Sequence, residues 1–246
     1  MLLYRAYFAF DDGFTEFIPI LVSNEKEARV QYQHLYYTRR YEYKWNIVDT
    51  VLCKAKLSCK STAIKAQLKH RFIPMVKKCW RPLLSKSIED AFIISSTKNS
   101  CLALGVIYLT PDLHETVVAH EFGHYLFFKL KPADKTKVEK AVVMMCEKVT
   151  DIDAVILRTQ HSPKLYYLYS TLIDAYTILN QVHPESGSWE GHKAGYGHTN
   201  KLYIAANEAF AGMCQLIFVE RYEIPEELSD LHRVVTNILK RLKNAL

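Results

Sequence analysis

Apolar and polar positions alternate with period two in "LLYRAYFAF" (2–10) and "FTEFIPILV" (14–22), which predicts two strands; "DDG" between them predicts a hairpin turn. The spacing then lengthens. In "SNEKEARVQYQHLYYTRRY", Ser23 or Asn24 can cap a helix, Glu25 and Glu27 suit its positive end, and Arg39 and Arg40 suit its negative end. "WNIVDTVLCKAKL" returns to strand spacing. Residues 1–60 therefore read as a β-β-α-β module, either an accessory domain or the sheet of the main fold.

Residues 61–79 carry Ile64, Leu68, Phe72 and Val76 at helical spacing with lysines between them, which predicts a basic amphipathic helix bent or ended by Pro74. "AFIISS" and "LALGVIYLT" predict one strand each. Thr110 is expected to cap a helix that has Pro111 at its first position and runs to about Leu130. Further helices are expected at "ADKTKVEKAVVMMCEKV", "KLYYLYSTLIDAYTILNQV", "KLYIAANEAFAGMCQLIFVERY" and the Pro-started "PEELSDLHRVVTNILKRLKNA". "HPESGSWEGHKAGYGHTN" is rich in glycine and proline and reads as a loop. The whole predicts an α+β fold: a helix-rich domain over 61–246 with a small mixed sheet beside the helix at 116–128.

Composition narrows the function classes. Apolar residues make up 49% and charged residues 24%, as in ordinary globular proteins. The net charge of +6 is diffuse, with no run of five like charges, so nothing in it supports a nucleic-acid partner. No apolar run reaches ~18 residues, so no membrane span is expected. "MLLYRAYFAFDDG" is interrupted by Arg5 and lacks a small-residue cleavage site, so it does not read as a signal peptide. The six cysteines form no C-x-x-C pair, which predicts free thiols in a reducing, cytoplasmic setting. Oligomeric state is not encoded in any pattern here.

The chemistry lies in "TVVAHEFGHYLFF" (116–128). His120 and His124 are four apart, so a helix places both imidazoles on one face, where they can share a Zn²⁺. Glu121 is one residue on, directed at a water in the ion's open position, a general base rather than a ligand. Gly123 lowers helix propensity by up to ~1 kcal/mol, which close backbone approach or tight core packing would justify. Two simpler readings compete: a core helix with two hydrogen-bonded histidines, and a purely structural metal site.

A catalytic zinc needs a third protein ligand and an open position. Glu208 in "AANEAFAGM" is the best candidate. A carboxylate among Ala205, Ala206, Ala209 and Ala211 is costly to bury unless paired or metal-bound, and the small neighbours let its helix approach the histidine helix. His192, His198, Asp151, Asp153 and Asp174 are rival ligands.

With His120, Glu121, His124 and Glu208 assembled, the chain resembles the gluzincins, the glutamate branch of the zincin metallopeptidases, over residues 90–220. The resemblance implies one Zn²⁺ on His120, His124 and Glu208, with Glu121 as general base and a strand beside the site helix. Of the family pattern N-E-x-x-S-D, Asn207 and Glu208 match, while Ala211 and Gly212 stand where Ser and Asp would be. That Asp orients a ligand histidine in the family, so Asp174 is a substitute orienting group. The series "HEFGHYL", "STLIDAY", "GYGHTNKLY" and "NEAFAGM" is also similar to metallopeptidase-like domains of phage head-morphogenesis and minor capsid proteins and of toxin modules. This second likeness implies a phage- or prophage-encoded, virion-associated protein.

Hydrolysis at zinc needs a donor for the developing oxyanion. His198 and Tyr203 are the expected donors, with Tyr196 and His192 behind them; His198 leads because its glycine-rich setting fits the second likeness. The expected function is zinc-dependent hydrolysis of a protein or peptide substrate. A zincin-fold binding or structural protein, such as a virion component, and a zinc hydrolase of non-peptide substrates are the alternatives.

Overall fold

The computed structural model describes residues 2–10, 15–42, 47–55, 60–95, 100–103, 106–110, 112, 114–160, 162–181, 200–219 and 223–246. The chain divides into two compact units, Met1–Ala63 and Ile64–Leu246.

In the first unit, β1 (Leu2–Phe10) lies between β2 (Thr15–Val22) and β3 (Ile47–Ala55), antiparallel to both, with Tyr4 opposite Ile20 and Lys54. Period two sends Tyr4, Ala6 and Phe8 to one face, where they are buried with Ile20, Val22 and Ala28. Ala28 belongs to α1 (Glu25–Glu42). Asn24 Oδ1 accepts from the Glu27 N–H at 2.9 Å, and the Glu27 carboxylate accepts in return from the Ser23 N–H, a capping box that fixes where the helix starts. The expected "DDG" turn lies outside the described residues.

The second unit begins its core on α2 (Lys60–Gln67), which widens into a π-helical turn at Leu68–Phe72 and stops before Pro74. The single helix expected over 61–79 is therefore shorter, because Pro74 offers no N–H to continue it. A 3₁₀ turn at Lys78–Trp80 leads into α3 (Arg81–Asp90), a helix the pattern did not assign. β4 (Phe92–Ser95), β5 (Cys101–Ala103) and β6 (Val106–Leu109) form a mixed sheet in the order β4-β6-β5, with β4 parallel and β5 antiparallel to β6. "LALGVIYLT" is thus not one strand: Leu102 pairs with Ile107 across a reversal. Thr110 does not cap a helix either. Its N–H donates to Ser100 Oγ and its hydroxyl to Asp112, so it ends β6, and α4 (Glu115–Phe128) begins after His114.

α5 (Pro132–Glu147), α6 (Ile152–Gln160), α7 (Pro163–Asn180), α8 (Lys201–Phe218) and α9 (Ser229–Asn244) complete the unit. α8 is enclosed, with α4, α7, α5 and α9 packed around it. Its apolar character on every side follows from that position: Ile204, Ala205, Ala206, Ala209, Phe210 and Met213 are all buried. Small residues set the helix separations. A Cβ on Gly123 of α4 would lie 2.6 Å from Ala211 Cα, and one on Gly212 would overlap Thr171 Oγ1 of α7. The architecture is α+β and helix-rich. Among the described residues no helix is long and apolar enough to cross a membrane.

Candidate metal centre

The tight contact of α4 with α8 brings polar groups into the core. Among the described residues, the only buried carboxylates are Glu121 and Glu208, each 6% exposed, and both lie at this contact together with buried His124 and Asn207. Burying charge in one place demands compensation there.

His120, His124 and Glu208 converge. His120 Nε2 and His124 Nε2 are 3.0 Å apart, and Glu208 Oε2 is 3.5 Å from the first and 3.6 Å from the second. Ligand atoms ~2.0–2.1 Å from a tetrahedral zinc stand ~3.3 Å from one another, so all three edges have the right length. Asn207 Oδ1 accepts from His124 Nδ1–H at 3.1 Å. That bond fixes the tautomer, because the amide oxygen can only accept, and it leaves the Nε2 lone pair aimed at the other two groups. Two imidazole nitrogens and a carboxylate oxygen this close repel one another unless a proton or a cation lies between them. The donor set, two histidines and one carboxylate, is one that a catalytic zinc takes.

Exposure marks the open side. The His120 side chain is 27% exposed against 9% for His124. A cavity of about 480 Å³ opens there, lined by His120 and Glu208 and on its far wall by Tyr166, Ser170, Thr171 and Asp174 of α7. His114 and Asp112, just before α4, line it too.

Glu121 stands apart from the three ligand groups. The Leu102 N–H of β5 is near enough to favour its charged form, yet Oε2 is buried with no hydrogen-bond partner among the described residues. Burial pushes this carboxyl up to about 7; His124 and the Leu102 N–H pull it down, and the Glu208 charge raises it further. Burial, and then the charge on Glu208, likewise push Asp174 up to about 7.

The sequence-derived site residues divide sharply. His120, His124 and Glu208 come together with Glu121 beside them. Tyr203 goes elsewhere: its ring packs 5.5 Å from Phe127 with Lys135 Nζ 5.4 Å from its centre, and it does not line the cavity. The spacing explains this, since Tyr203 and Glu208 are five apart on α8, about 140° around the helix. Tyr203 is therefore not among the residues that line the cavity. Asp174 makes no hydrogen bond to either histidine; Asn207 orients His124 instead. The rivals Asp151 and Asp153 are not in the cluster. His192, Tyr196 and His198 lie outside the described residues. Tyr166 and His114 are cavity residues that the sequence reading missed; the position of Tyr166, four and eight residues before Ser170 and Asp174, was the available signal. Compared with protein-family profiles, curated proteins and solved structures, the chain gives no match in any of the three.

Proposed function

We propose that the chain is a zinc-dependent peptidase of the zincin type with the gluzincin ligand set. The observation that carries this reading is the convergence of His120 Nε2, His124 Nε2 and Glu208 Oε2 within 3.6 Å, beside a buried Glu121 that is not part of the set. His120, His124 and Glu208 hold the ion. Bound zinc supplies a water acidic enough to lose a proton near neutral pH and a positive charge that polarises a carbonyl.

The chain's own groups do the rest. Glu121 takes a proton on its carboxylate and returns it to the leaving amine. Asn207 holds the ring of His124. His198 remains the proposed oxyanion donor on sequence grounds. A phage- or virion-associated role belongs to the same proposal, on the likeness of "GYGHTNKLY" and "NEAFAGM".

The test is cleavage of an unstructured protein by zinc-loaded native chain beside Glu121→Gln. Cleavage by the native chain, lost in a variant that keeps its zinc, supports the reading. Equal cleavage by both would assign the activity to a contaminant and sink it.

A further inference from the structure

We infer that the cavity in front of the ligand triad receives a cationic group of the substrate, an alkylammonium or guanidinium, and that Asp174 is its counter-charge. This rests on the peptidase reading for what the substrate is, but not for which charge the cavity takes.

Charge is distributed unevenly over the chain. Lys and Arg outnumber Asp and Glu, 32 to 26, yet among the described residues no Lys or Arg lines this cavity. Asp112 and Asp174 do. Zinc and Glu208 together carry one positive charge, and the two aspartates outweigh it. Asp174 lies outside the ligand triad, and among the described residues its carboxylate has neither a hydrogen bond nor an ion pair; only its backbone carbonyl accepts, from the Thr177 hydroxyl. A partly buried carboxylate facing a second one, with no cation beside it among the described residues, is left unstable by those surroundings.

The α7 wall carries a second polar group that the described residues leave unanswered. Thr171, on the same wall, is 3% exposed, and its buried Oγ1 has no hydrogen-bond partner among the described residues. Gly212 leaves room for that hydroxyl where any Cβ would overlap it. An N–H donor entering beside Asp174 would satisfy its carboxylate. Tyr166, 56% exposed, lines the same wall as Asp174 and offers an apolar surface for the alkyl stem that carries the charge.

The ammonium could come from a Lys or Arg side chain or from a free amino terminus; the test separates the two. Fluorescent peptides of one frame carry Lys, Arg, norleucine or citrulline at each position in turn, with the terminus free or acetylated. Binding is read by anisotropy on zinc-loaded Glu121→Gln, and cleavage on the native chain. Lys or Arg peptides should bind at least about tenfold tighter than their neutral isosteres, or free termini than acetylated ones. Asp174→Asn should bring that ratio close to one at unchanged zinc content. Asp112→Asn, on an exposed residue, should lower the same ratio by less, which keeps the test alive if the Asp174 variant fails to fold. Equal binding of charged and neutral peptides, no binding of any peptide, or a preference that survives Asp174→Asn in folded protein overturns the inference. Selective binding without cleavage overturns the peptidase reading and leaves this inference standing.

Discussion

The two sides of α8 are built from similar small residues and do opposite things. Toward α4, Gly123 meets the backbone of Ala211, and the polar groups at that contact, Glu121 Oε2 excepted, answer one another: Asn207 with His124, His124 with His120, both with Glu208. Toward α7, Gly212 meets Thr171, and there the Thr171 hydroxyl and the Asp174 carboxylate are left unanswered among the described residues. A contact that satisfies its polar groups is one that holds something in place. A contact that leaves them unsatisfied, on the wall of a cavity, is one that waits for a partner.

The largest effect should come from the general base. Glu121→Gln is expected to lower the hydrolysis rate by ~10²–10⁴-fold while zinc stays bound, measured as kcat on a cleaved peptide. Next come the two sides of α8 set against each other. Asn207→Ala should weaken zinc binding by roughly 10–100-fold in a competition titration with a chromogenic chelator. Thr171→Val should leave zinc affinity where it was and keep or raise the melting temperature, because it removes a buried hydroxyl that has nothing to bond. If both variants lost zinc equally, the two sides would not be different in kind.

Packing gives a smaller contrast. Gly123→Ala forces a Cβ onto the backbone of α8, which cannot turn away, whereas Gly212→Ala meets a Thr side chain, which can. Overpacking set against the gain in helix propensity leaves Gly123→Ala about 1 kcal/mol less stable, roughly 2–4 °C by calorimetry, with Gly212→Ala losing less. Buried Cys214, whose Cβ is the third atom against Gly123, reports on the same face: burial raises its thiol, so maleimide should leave it unlabelled in the folded native chain and label it faster in Gly123→Ala. Smallest of all, Lys65→Glu with Lys69→Glu removes exposed contacts to Glu89 far from the site. Zinc content should not change, and the melting temperature should move less than for Gly123→Ala.

The convergence of His120, His124 and Glu208 was legible in the sequence because helical spacing fixes one face for the two histidines, and because a glutamate amid alanines is costly to bury unless paired or metal-bound. The strands of the first unit were legible for the same kind of reason, a clean period of two. What failed to show was whatever depends on chain reversal or on a neighbour. "LALGVIYLT" alternates just as well as two short antiparallel strands as it does as one. Thr110 has the chemistry of a helix cap but spends its hydroxyl on Asp112. Asn207 read as half of a motif, while its role comes from His124, 83 residues away in the chain. Tyr203 read as a donor because it follows the glycine-rich "GYGHTNKLY" stretch, and its ring packs against Phe127.

The central claim is that His120, His124 and Glu208 hold one metal ion. It is tested most directly by elemental analysis of native protein purified without chelator or a histidine tag, beside Glu208→Ala. We expect about one zinc per chain in the native protein and a large loss in the variant. A native protein that takes up no zinc on reconstitution would contradict the account and leave α4 as a core helix carrying two hydrogen-bonded histidines.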